Sequence, residues 1–173
     1  EYQVRDTSAT MLSSGFDIQV DAQSTVRDRA GTEAVGISAV LNATDLHPRQ
    51  QADLYVTLEI ERGLHVYGSE VPEGYIPTSI SIAAPEGVII RDARYPETVP
   101  FKINGLPEEF QVFDADTRIV VPIESRIREP GAVALDIEVR YQACNERECF
   151  TPRTERLRVE FQAGSMVPGR PRG

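Results

Sequence analysis

Three long segments of this 173-residue chain alternate apolar and polar residues with a strict period of two, and that pattern restricts the fold more than any other feature. Leu54, Val56, Leu58 and Ile60 alternate with Asp53, Tyr55, Thr57 and Glu59. Val133, Leu135, Ile137, Val139 and Tyr141 alternate with Ala134, Asp136, Glu138 and Arg140, and Leu157, Val159 and Phe161 with Arg156, Arg158 and Glu160. Successive side chains of an extended chain point to opposite faces, so one apolar face means a half-buried antiparallel strand. Further strands are expected at about 16–23, 34–42, 78–83, 87–94 and 117–124. Turn signals separate them at Asp45 to Pro48, Pro72 to Gly74, Pro85 to Gly87, Asn104 to Pro107 and Pro130-Gly131. No stretch of about ten residues carries a helical stripe with caps. The expectation is an all-β chain with little helix, an immunoglobulin-like antiparallel β-sandwich of about eight or nine strands.

A chain of this length fits one domain and buries roughly 70% of its unfolded surface, enough to fold without staples. Residues 1–15 are polar and patternless and read as a linker or the tail of a preceding domain. The folded unit is expected over 16–162, and 163–173 reads as a disordered tail. The formal charge of −9 argues against nucleic acid and anionic membrane surfaces, which require a basic face. No apolar run approaches the roughly eighteen residues of a membrane helix, so no membrane insertion is expected of this chain. It opens on Glu1 with no charged-then-apolar leader, as expected of a mature form or an excised piece.

Against that background the two cysteines, Cys144 and Cys149, stand out. They lie in Tyr141-Gln142-Ala143-Cys144-Asn145-Glu146-Arg147-Glu148-Cys149, where one strand ends and another is about to begin. A disulfide there would close a very small loop and contribute roughly 2 kcal/mol by loop entropy, less than a bridge between distant strands. Two readings stay open: a structural hairpin bridge, or a pair that exchanges thiols. Zinc is disfavoured because only His47 and His65 remain as soft ligands, without finger spacing. A thioredoxin-like site would need Cys-x-x-Cys and βαβ alternation, and both are missing. Arg140, Arg147 and Arg153 would lower a thiol pKa, whereas Glu146 and Glu148 would oppose them. Asp114-Ala115-Asp116 lacks the frame of an EF-hand calcium loop. No metal or organic cofactor is expected. No hydrolase elbow or phosphate loop is present.

The hairpin Tyr141-Gln142-Ala143-Cys144, with Cys149 and then Pro152, resembles the active hairpin of the N-terminal domain of the DsbD family, bacterial membrane thiol–disulfide interchange proteins. Three other segments follow in the family's order. Gly63-Leu64-His65-Val66-Tyr67 is similar to its Gly-aromatic-His/Tyr-x-Tyr strand, with Pro77-Thr78-Ser79 after it. Tyr95-Pro96 leads to Glu108-Glu109-Phe110, similar to the acidic-acidic-aromatic cap loop. Ile119 to Ile123, with Pro122, resembles the strand before the hairpin. The likeness covers about residues 50–161.

The resemblance implies an immunoglobulin-like fold and a periplasmic location. It also implies electrons received from a transmembrane donor domain and passed to the disulfides of periplasmic thioredoxin-fold proteins. Cys144 and Cys149 would be the redox pair, Cys149 forming the mixed disulfide and Cys144 resolving it. Phe110 would cap the pair, with Phe113 as the alternative because the cap alignment needs a gap. His65, Tyr67 and Tyr141 would line the site, and Glu108 and Glu109 near a thiol would raise its pKa. Four residues separate the cysteines here, where the best-known member has five. The competing expectation is an accessory or docking module with a structural disulfide, attached to a thioredoxin-like or peroxiredoxin-like domain.

Overall fold

The computed structural model describes residues 27–32 and 34–164. The expected strand at 16–23, the 1–15 segment and the tail from 165 onward lie outside the described residues. Thirteen strands are present among those described, and no helix. In chain order they are β1 (Arg27–Gly31), β2 (Val35–Leu41), β3 (Asp45–Leu46), β4 (Gln51–Ile60), β5 (His65–Tyr67), β6 (Ser79–Ala83) and β7 (Val88–Ile90). Then follow β8 (Val99–Lys102), β9 (Glu109–Phe113), β10 (Thr117–Ser125), β11 (Gly131–Tyr141), β12 (Ala143–Cys144) and β13 (Arg153–Ala163). They form three sheets, ordered β1-β2-β4-β10-β7, β3-β13-β11-β6 and β12-β5-β9-β8.

The first two sheets pack face to face, and the alternation read from the sequence sets which side chains lie between them. Ala52, Leu54, Val56, Leu58 and Ile60 of β4 are buried, as are Val133, Leu135, Ile137, Val139 and Tyr141 of β11. Val35, Ile37, Ala39 and Leu41 of β2, Ile119, Val121 and Ile123 of β10, and Leu157, Val159 and Phe161 of β13 complete one core cluster. Register follows: β10 pairs β4 from Thr117↔Leu58 to Glu124↔Gln51, and β11 pairs β13 from Gly131↔Ala163 to Tyr141↔Arg153. On the solvent side of the second pair, Arg158 reaches Asp136 at 2.9 Å and Arg156 reaches Glu138 at 3.2 Å, cross-strand pairs matching that register.

Several expectations change. The strand count rises from eight or nine to thirteen because β1, β3, β5, β8, β9 and β12, of two to five residues each, are too short to show a period. Asp45 and Leu46, expected in a turn, pair with Gln162 and Ala163, and this pairing is parallel. β13 therefore runs one residue past the expected boundary at 162. The strand expected at 87–94 contracts to Val88–Ile90 plus a single bridge from Arg94 to Val120. Asp116 accepts a hydrogen bond from the Ile60 N–H at 3.0 Å, closing the end of β4.

One charge is buried at the margin of the first sheet. Glu124, 7% exposed, receives Arg91 Nη2 at 2.7 Å and Arg126 Nε at 3.0 Å. The hydrogen bond from Arg126, then that from Arg91, holds the carboxyl below its ordinary value of 4.5. A depressed native value gives stability that is fully present above 4.5 and lost as pH falls through the native value. The difference in melting temperature between the native chain and Glu124→Gln is therefore expected to be largest near neutrality and to shrink on acidification. Thermal melts across that range check it, and a difference that stays constant with pH contradicts it.

Candidate functional site

The third sheet builds the site because its two faces do different things. In β5, Val66 points into the main core, while His65 and Tyr67 point the other way. Across β12, Ala143 pairs with Val66 and faces the core, and Cys144 pairs with His65. Across β9, Phe113 pairs with Val66 and Val112 with Tyr67. On the outer face Tyr67, Phe110, Val112, Ile103 and Cys144 form a second buried cluster, with Val71, Tyr75, Phe101 and Cys149 packed at its edge.

Cys144 and Cys149 are joined by a disulfide, their Cα atoms 3.9 Å apart across an antiparallel bridge. The intervening loop is closed by backbone and carboxamide bonds. Asn145 N–H donates to the Glu148 carbonyl at 2.9 Å, and Asn145 Oδ1 accepts from the N–H groups of Arg147 and Glu148, each at 2.8 Å. Phe150 N–H donates to the Ala143 carbonyl at 2.8 Å, and Gln142 Nε2 donates to the Phe150 carbonyl at 3.0 Å. The two sulfur residues are not equivalent. Cys144 is 1% exposed, Cys149 is only partly buried, and the next residue, Phe150, is 39% exposed.

An aromatic wall surrounds the pair. The Tyr67 ring lies 5.1 Å from Phe110 and 5.7 Å from Tyr75, and Tyr75 meets Phe110 edge-on at 4.7 Å. The Tyr67 hydroxyl is 3.2 Å from Cys149 Sγ. Burial, with a smaller contribution from Tyr75, pushes the Tyr67 phenol up to about 12. His65 stacks on Phe101 with centroids 3.9 Å apart, and its Nδ1 is buried without a hydrogen-bond partner among the described residues.

The residues singled out in the sequence divide cleanly. Cys144, Cys149, His65, Tyr67 and Phe110 come together. Phe113 does not: it sits in the main core opposite Val66, so Phe110 is the phenylalanine of this segment that packs beside the cysteines. Glu109 and Phe110 begin strand β9 where a cap loop was expected, and the loop proper is the turn from Ile103 to Glu108, with Gly105 at φ 93°. Glu108 keeps a buried carboxylate oxygen with no hydrogen-bond partner among the described residues, whereas Glu109 is exposed and pairs with Lys102 at 3.4 Å. Tyr141 belongs to the main core, on the opposite face from the disulfide. Arg153 pairs with Glu155 at 4.0 Å, and Arg140 and Arg147 are exposed. Sequence reasoning missed Phe101 and Tyr75, which reach the site from loops and strands remote along the chain. Among the described residues, no group of three His, Cys, Asp or Glu is placed to hold a metal ion. No helix among them is long and apolar enough to cross a membrane.

Residues 37–160 match the family described as thiol:disulfide interchange protein DsbD, N-terminal. The chain belongs to this family. The DsbD N-terminal family is one of thiol–disulfide interchange domains, and the Cys144–Cys149 disulfide lies within the matched span. No curated protein matches the chain in sequence. Among solved structures, the N-terminal periplasmic domain of ScsB from Proteus mirabilis aligns with TM-score 0.58 and 13% identity, covering 79% of this chain. The chain spans 51% of that ScsB structure, about half its length. At that identity the likeness is one of fold, and it agrees with the immunoglobulin-like sandwich. The reduced DsbD N-terminal domain from Neisseria meningitidis aligns with TM-score 0.48 and 14% identity, over 75% of this chain and 90% of that one. The GAE domain of GGA2p from Saccharomyces cerevisiae aligns with TM-score 0.44 and 10% identity, over 81% and 99%.

Proposed function

We propose that this DsbD N-terminal domain passes two electrons through Cys144 and Cys149 to disulfides of other proteins. The observation that carries the reading is the asymmetry of the bonded pair: one sulfur residue buried under aromatic rings, the other partly open beside an exposed phenylalanine. In the reduced pair the Cys149 thiolate attacks the partner disulfide; that bond breaks, a mixed disulfide forms, and one partner sulfur leaves as a thiolate. The Cys144 thiolate then attacks Cys149 Sγ, re-forming the bond and releasing the second partner sulfur. The two protons lost by the cysteines balance those taken up by the partner. No metal or organic cofactor enters the cycle. Phe110 shields the pair from water and oxidants between encounters, with His65, Tyr67, Glu108 and Glu109 around it.

The partners in this reading are thioredoxin-fold proteins of the bacterial periplasm and a transmembrane donor domain that re-reduces the pair. Phe150 offers such partners an apolar contact next to the attacking sulfur. Equilibration in glutathione buffers tests the proposal. A reduction potential of about −180 to −270 mV is expected for an exchanging pair. A value below about −300 mV marks a structural bridge and leaves an accessory module instead.

A further inference from the structure

We infer that Tyr67 is a positioning residue for this exchange: its hydroxyl donates a hydrogen bond to Cys149 Sγ and makes Cys149, not Cys144, the sulfur that carries negative charge. The inference rests on the exchange reading above and adds what sets the order of the two cysteines.

The hydroxyl and the sulfur are 3.2 Å apart. Bonded to Cys144, Cys149 has no S–H, so in the oxidised form the phenol must be the donor. Its position does not depend on the disulfide. The ring is held between Phe110 and Tyr75. The backbone is held as well: the Thr78 hydroxyl donates to the Tyr67 carbonyl, and Tyr67 N–H donates to the Gln142 carbonyl at 3.2 Å. The donor therefore remains aimed at Cys149 once the bond opens. Burial keeps the phenol protonated at every pH at which a thiol works, so it never becomes a phenolate that would repel the sulfur.

Among the described residues, no equivalent donor serves the other sulfur. Cys144 is almost fully buried in an apolar cluster, and such surroundings disfavour a thiolate. Donation at one cysteine and desolvation at the other act in the same direction. Tyr67 gives up no proton in the cycle; the proton of Cys149 leaves to solvent, and the phenol stabilises the charge left behind.

The test uses the full chain carrying Cys144→Ser, in which Cys149 is the single thiol, with and without Tyr67→Phe. The probe is iodoacetamide, and the rate of alkylation is followed across pH. A hydrogen bond to a charged acceptor is strong enough that removing it is expected to slow alkylation near pH 7 about tenfold. The two rates should converge at alkaline pH, where both thiols are ionised. Superimposed profiles overturn the inference. So does a slowing by the same factor at every pH, because that reads access to the sulfur and not its charge. The outcome is independent of the glutathione titration: a strongly negative potential removes the exchange reading, whereas superimposed profiles remove only the role of Tyr67.

Discussion

Replacing Cys144 by Ser is expected to turn the domain from a carrier into a trap. The reduced variant keeps the Cys149 thiolate and attacks a partner disulfide, but nothing is left to displace the partner from Cys149. A one-to-one adduct should accumulate on non-reducing gels and vanish with dithiothreitol. Cys149→Ser should give no such adduct, and its rate of disulfide transfer to an oxidised thioredoxin-fold protein should fall at least about 10³-fold, since removing a nucleophile removes the route. The contrast follows from position: the Cys149 residue is partly open, and Cys144 lies beneath the rings. Equal adducts from both variants would contradict the ordering, and undiminished transfer by Cys149→Ser would sink the exchange mechanism altogether.

The second large effect separates two phenylalanines three residues apart. Phe110 and Phe113 are both buried, and truncating either to Ala should cost about 3–5 kcal/mol of stability. For a chain of this size, 3 kcal/mol corresponds to a fall in melting temperature of roughly 6–12 °C. Only Phe110→Ala should also speed reduction of the folded domain by a small thiol, because only Phe110 belongs to the cluster that holds the cysteines. Melting curves and the rate of disulfide reduction by dithiothreitol, measured below the transition, resolve the two effects. If Phe113→Ala accelerated reduction as much, the loss of shielding would be a general loosening and Phe110 would not be the cap.

These two rings also show where the sequence was legible and where it was not. In a strand, positions 110 and 113 fall on opposite faces, so recognising β9 would have chosen between them at once. β9 has only five residues and β5 only three, too few for a period to declare itself against the background of loops. The long strands posed no such difficulty: β4, β11 and β13 carry ten or eleven residues, and their buried positions follow the alternation. Tyr141 lies in the core, where the alternation of β11 already had it; the resemblance, not the periodicity, set it beside the cysteines. The buried series Val139, Tyr141, Ala143 runs along one face, so the parity of the long strand outweighs the likeness at this position. Phe101 and Tyr75 had no local signal to offer. Their proximity to the cysteines exists only after β8 has paired with β9 and the loop following β5 has folded over the third sheet. Cys144 and Cys149 were visible because hairpin chemistry is written in a contiguous stretch, whereas a wall of rings is assembled from distant ones.

The Asn145 turn has a bearing on how quickly such a domain changes redox state. The bonds that close the loop run between the Asn145 carboxamide and two backbone amides, and between Phe150 and Ala143; none passes through sulfur. The scaffold that holds the two cysteines opposite one another is therefore expected to survive when they part. In the proposed exchange, oxidised and reduced forms are then expected to differ by two electrons and two protons with little change of shape. A carrier built in this way would be paced by its encounters with partners and not by its own rearrangement.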